Sequence, residues 1–164
     1  MNSQPAQSPA VRDHLAALEA QLPSAPIPVA SYVPVRQVGN LAFTSGQTPT
    51  RNGVLTVSGK LGRELDVEQG QQASATAVLN CLSALRQHLG SLDRIVSVVS
   101  LTGYVASAEG FGDQPAVVNG ASQLLERAFG EQGRHSRAAV GVAELPGGAP
   151  VEISLVVEVQ TSVD

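Results

Sequence analysis

The chain has no tryptophan, one cysteine, and only 3% aromatic residues. Each shortage excludes something. A lone Cys81 cannot close a disulfide within the chain and cannot furnish a thiolate metal cluster. So few aromatics leave the core to Val, Leu, Ala and Ile, and leave few platforms on which RNA bases could stack. Charged residues make up 15% of the chain, with a net charge of -4 and a pI near 5.3. That balance argues against the basic patch a nucleic-acid partner requires. No apolar run approaches the roughly 18 residues of a membrane span. The N-terminal MNSQPAQSPAVRDH lacks a charged-then-apolar signal pattern. A cytoplasmic protein without a membrane partner is the expectation. The three histidines, His14, His88 and His135, show no His-x3-His spacing, so no metal site is expected.

What is present suits one domain. The chain has 164 residues, 43% of them hydrophobic, enough for a core without disulfides. Low charge and abundant Ala, Val and Gly fit a protein that hides further surface in an oligomer. Residues 1–9 read as a flexible N-terminus and residues 10–164 as a single domain. That domain opens with a helix and a Pro-rich connector over residues 10–28.

In the opening helix, Val11, Leu15, Leu18 and Leu22 recur at helical spacing. Ser8 is placed to cap it and Pro9 suits its first position. Pro23, Pro26 and Pro28 stop it. Strands are predicted over 30–38 and 41–45 around a Gly39-Asn40 turn, with a short third over 54–57. Val78, Leu79, Leu82, Leu85 and Leu89 mark one face of a long helix over 67–89, which Gly90 ends. A Val/Ile-rich strand over 94–105 and a helix over 116–129 follow. Two closing strands, 136–144 and 150–160, read as a hairpin around Pro146-Gly147-Gly148. The order predicts an α+β fold, a mixed sheet with two helices on one face plus the extra N-terminal helix. The other face has no helix left to cover it, which points to oligomerisation.

The closing strands hold the most informative charges. Arg137 stands among alanines, glycine and valines, and Glu152 begins a Val/Ile-rich strand. Alternation puts Arg137, Ala139, Gly141 and Ala143 on one face. Ala138, Val140 and Val142 are then expected on the other, toward the helices. Small neighbours leave Arg137 room for a ligand or another subunit, and its planar fork matches a carboxylate. The plain alternative is a solvated arginine paired with Glu158 or Glu144. Glu152 shares a face with Ser154, Val156 and Glu158. It could orient or deprotonate a water, or simply face solvent. His135 reads as a loop histidine with a general-base role open to it, and Cys81 as a small buried apolar residue. Tyr32, Ser45 and Asn119 each suit capping or ordinary hydrogen bonding. Ser45 lies outside any G-x-S-x-G elbow, and no phosphate loop is present.

Three segments acquire a meaning together. YVPVRQVGNLAFTSGQ (32–47), VVNGASQLLERAFGEQGRHSRAAVGVAELP (117–146) and VEI (151–153) resemble the RidA/YjgF family, the reactive intermediate imine deaminases often labelled endoribonuclease L-PSP. The resemblance spans about residues 30–160. It implies a chorismate-mutase-like fold and a homotrimer with ligand clefts between subunits. By position it makes Arg137 the grip on a substrate carboxylate and Glu152 the handler of the hydrolytic water. It makes Tyr32, Ser45, Gly46 and Asn119 lining residues, with the backbone carbonyl of Ala139 beside them. The implied reaction is hydrolysis of a small enamine or imine acid, such as 2-aminoacrylate, to a 2-keto acid and ammonia, with no cofactor or metal.

The chain also departs from the family pattern. Ala138-Ala139 replaces the common Ser-Cys after the arginine, and Ser154 stands where deaminase members often have a second acid. Arg134-His135-Ser136 replaces the usual proline, and the N-terminal helix is an extension. These features mark a longer branch. They keep a second reading alive, a non-catalytic trimer that binds 2-keto acids. A third, an RNase or RNA binder, is weakened by the net charge of -4.

Overall fold

The computed structural model of the chain describes residues 9–25, 27 and 31–160. The expected cap Ser8, the prolines Pro26 and Pro28, and Ala30 lie outside them. Helix α1 runs Pro9–Glu19, three residues shorter than the apolar spacing predicts, and residues 20 and 21 form a turn. Leu15 is 1% exposed and joins the core, and Leu18 packs against it.

Strands β1 (Val35–Val38) and β2 (Leu41–Thr44) form the expected hairpin over Gly39-Asn40. β1 begins five residues later than predicted, directly after Pro34, whose missing N–H cannot enter a ladder. The segment after β2 is more ordered than a loop. Thr50–Arg51 (β3) pairs with Val54–Leu55 (β4) in a small separate ribbon.

Helix α2 spans Val67–Leu89, as the spacing predicts. Asp66 Oδ1 accepts from the Gln69 N–H at 2.8 Å, and the Asp66 N–H donates to Gln69 Oε1 at 3.0 Å, a reciprocal capping box. At the other end Gly90 takes φ 88° and its N–H donates to the Arg86 carbonyl. Strand β5 (Ile95–Ala106), helix α3 (Gln114–Phe129), strand β6 (Ser136–Val142) and strand β7 (Val151–Val159) complete the chain.

The main sheet has the order β1-β2-β7-β5-β6, antiparallel except for the parallel pair β5/β6. Helices α2 and α3 pack together on one face. The α+β expectation, with a mixed sheet and an additional N-terminal helix, is therefore met.

Two expectations about the closing strands are corrected. β6 and β7 do not form a hairpin, because β5 lies between them. After β5 the chain crosses over through α3, so β6 returns parallel to β5 at the sheet edge. β7 then inserts between β2 and β5. It contributes Val151, Ile153, Leu155, Val157 and Val159, each at most 2% exposed, and a central strand is where such a row buries most apolar surface.

The second correction concerns the faces of β6. Arg137, Ala139 and Gly141 pair with Leu101, Gly103 and Val105, and Leu101 and Val105 are fully buried beneath the helices. Ala139 packs against that core. Val140, expected inside, is 43% exposed on the open face. Alternation separates the two sets correctly. Polarity picks the wrong one as inner, because the arginine has partners on α3.

Candidate functional site

The expected site residues fall into two groups on opposite faces of the sheet. The first is built around β7 and the loop after β2. Gln47 N–H donates to the Ile153 carbonyl at 2.8 Å, and Ile153 N–H returns to the Gln47 carbonyl at 2.9 Å. This two-way bridge pins the Ser45-Gly46-Gln47 loop beside Glu152. A β-carbon on Gly46 would stand 2.0 Å from Glu152 Oε1. Only glycine admits the carboxylate there. Ser45 fastens a second segment: its hydroxyl donates to the Val33 carbonyl at 2.7 Å and its N–H to the Pro34 carbonyl at 2.8 Å. Tyr32 stands next in the chain, 47% exposed. Tyr32, Ser45, Gly46 and Glu152 thus lie along one connected stretch of backbone contacts.

Glu152 is half-buried, and burial raises its carboxyl above the usual carboxylate range. It is not the plain solvent-facing glutamate that alternation alone allowed. Behind the strand lies Cys81, whose thiol donates to the Ile153 carbonyl at 3.3 Å. Burial pushes that thiol up to about 12, so it stays protonated and behaves as a small core residue, as expected.

The second group sits where β6 meets α3. Arg137 NH1 donates to Asn119 Oδ1 at 2.8 Å and to Ser122 Oγ at 3.2 Å. Its Nε and NH2 have no partner among the described residues. The alternative pairings are not made: Glu144 takes Lys60 at 2.6 Å, and Glu158 accepts from Asn40 and Ser97. Neighbouring Arg134 is engaged by Glu131 at 3.5 Å and Glu126 at 3.8 Å. Arg137 is therefore an exposed guanidinium without a carboxylate. A small cavity of about 220 Å³, lined by Ser122, Glu126, Gly133, Arg134, His135 and Arg137, adjoins it. Ala139 offers no side-chain chemistry, since its methyl faces the core.

Sequence reasoning missed Ser122 and left His135 without a partner. Asn119 and Ser122 are three residues apart on α3 and so share a face, a signal that could have been read beside Arg137. His135 is reached only through the fold: its Nε2 lies 3.0 Å from Ser122 Oγ.

The two groups do not meet within one chain. Arg137 is level with Leu101 and Leu155, while Glu152 lies three residues further along and two strands away. Strand rise and spacing put their Cα atoms roughly 14 Å apart, with side chains on opposite faces. Among the described residues no three His, Cys, Asp or Glu side chains cluster as a metal site needs, and no helix is long and apolar enough to cross a membrane.

Known proteins share this fold. Residues 12–158 match the family model described as "YjgF/chorismate mutase-like, putative endoribonuclease". The chain is 42% identical over 149 residues to Protein TCP17 of Trypanosoma cruzi, covering 90% of this chain and 93% of that one. The crystal structure of Atu1372 from Agrobacterium tumefaciens, a protein of unknown function, is 42% identical with a TM-score of 0.84, over 92% of this chain and 93% of the other. That of a "putative endoribonuclease" from Shewanella oneidensis is 33% identical with a TM-score of 0.85, over 92% and 99%. The family match over most of the chain, these identities and the shared fold agree: the chain is a member of the YjgF/RidA family, on its chorismate-mutase-like α+β fold.

Proposed function

We propose that the protein hydrolyses small, reactive enamine or imine acids of the 2-aminoacrylate type to 2-keto acids and ammonia, without a cofactor. The observation that carries this reading is Arg137: an exposed guanidinium, held by Asn119 and Ser122, with its Nε and NH2 unpartnered among the described residues. Such a fork suits a carboxylate through two parallel hydrogen bonds. The enamine tautomerises to the imine, and water adds to the imine carbon. The carbinolamine then collapses, its C–N bond breaks, and ammonia leaves. Glu152, half-buried and with its carboxyl raised above the ordinary value by burial, suits the proton transfers of water addition and ammonia release.

Because Arg137 and Glu152 lie on opposite faces, one chain does not complete this site. We propose that a second copy does, in a homotrimer assembled through the open face. That face carries the exposed Phe43 and Val140, with Val156 paired beside Phe43. Tyr32, Ser45, Gly46 and Glu152 of one protomer then meet Asn119, Arg137 and the Ala139 carbonyl of another.

One observation favours the second reading, a trimer that binds 2-keto acids without turnover. Ala139 gives the site no side-chain function, and Ser154 supplies no second acid near Glu152. One experiment separates the two readings. A pyridoxal-dependent dehydratase generates 2-aminoacrylate, and pyruvate release is followed through an NADH-linked reductase. Faster release with this protein, abolished in Arg137→Ala, supports hydrolysis. An unchanged release rate together with binding of 2-ketobutyrate selects the binding reading.

A further inference from the structure

Arg137 is held by a directed series of hydrogen bonds that begins in the backbone. The His135 Nδ1 is 2.6 Å from the Gly133 carbonyl. A carbonyl only accepts, so Nδ1 carries the proton. In the neutral ring Nε2 is then an acceptor, and the Ser122 hydroxyl, 3.0 Å away, donates to it. With its proton committed, Ser122 Oγ turns a lone pair to Arg137 NH1 at 3.2 Å. The first member is anchored. A β-carbon on Gly133 would stand 2.2 Å from the Leu125 carbonyl oxygen, so this backbone lies tightly against α3.

We propose that His135, acting through Ser122, is a positioning residue that selects which edge of Arg137 meets a small carboxylate. NH1 is committed to Asn119 and Ser122, so the edge offered to the anion is Nε with NH2. The inference rests on Arg137 being the carboxylate clamp. The other charges around the cavity do not compete, because Arg134 and Glu126 face each other at 3.8 Å. Without the Nε2 acceptor, the Ser122 hydroxyl turns to the carbonyl one helical turn back, as helical serines do. Arg137 then keeps Asn119 alone, and the edge it presents is no longer defined.

The test measures 2-ketobutyrate binding by calorimetry for the full chain and four variants, with thermal unfolding checked in each. Ser122→Ala and His135→Leu are expected to bind about tenfold more weakly, the loss of one hydrogen bond to a charged group. His135→Gln carries an acceptor near the Nε2 position and is expected within about threefold of the parent. In turnover, the two weak binders raise KM and leave kcat unchanged. If Ser122→Ala and His135→Leu bind like the parent while Arg137→Ala does not bind, the positioning role is overturned and the clamp stands. If His135→Gln is as weak as His135→Leu, the imidazole acts by bulk, which also overturns it. If Arg137→Ala binds like the parent, the clamp itself is wrong.

Discussion

The Glu152 carboxylate fills the space that a side chain at position 46 would need: a single β-carbon on Gly46 would lie 2.0 Å from Glu152 Oε1. The loop carrying Gly46 is bridged to β7 by the two hydrogen bonds between Gln47 and Ile153, so it cannot swing away cheaply. Gly46→Ala is therefore expected to displace the Glu152 carboxyl and keep the fold. The loss in kcat should be of the order of 100-fold, the scale of a misplaced general acid–base group. Steady-state kinetics beside a thermal melt checks this. A variant with normal kcat would remove Glu152 from the chemistry.

Arg137 should be intolerant of its nearest substitute. Lysine keeps the charge and loses the planar fork, so Arg137→Lys is expected to weaken 2-ketobutyrate binding by about 100-fold, nearly as much as Arg137→Ala. Calorimetry measures both. Retained affinity in the lysine variant would mean that charge alone, and not a two-point contact, holds the anion.

The Glu152 carboxyl gives folding a definite pH signature. Its native pKa is raised above the ordinary value of 4.5 by burial, so between the two values the native state holds a proton that the unfolded chain has released. The contribution of this group to stability is then fully present below about 4.5 and is lost as pH rises through the native pKa. Glu152→Gln removes this titration. Its unfolding temperature should match the parent in acid and exceed it at neutral pH. Melting curves from pH 4 to 8 test the sign, and a parent that gains on the variant with rising pH would contradict it.

The open face should govern assembly. Val140 is 43% exposed there, paired in register with Tyr104, which pairs in turn with Glu152. Val140→Asp is expected to convert a trimer to monomers in light scattering and to abolish turnover, since the proposed site needs two chains. A trimeric variant would place the subunit contact elsewhere, and a monomeric parent would overturn the proposed assembly.

Helix α1 is part of the core through Leu15, 1% exposed. Its last turn is fastened by Glu19, which accepts from the Leu92 N–H and pairs with Arg86 at 3.9 Å. Leu15→Ala should cost about 2–4 kcal/mol in chemical denaturation. A loss under about 0.5 kcal/mol, the scale of a surface change, would make the helix a loose appendage.

Much of this protein was legible in the order of its residues. The span of α2 and its stop at Gly90 were legible, because helix ends are set locally: Gly90, like the Asp66 cap that the structure adds, acts on the nearest backbone groups and needs no distant partner. Alternation in 151–159 separated the buried row from the row bearing Glu152, because pleating is a local property. Arg137 and Glu152 stood out as charges in apolar strands. Which strand pairs with which could not be read there. The placing of β7 between β2 and β5, and the turning of Arg137 toward α3, follow from how much surface each arrangement buries across the whole sheet. That competition among distant segments set Arg137 on Asn119 and Ser122, with Glu152 on the opposite face of the sheet, and only the tertiary structure decided it.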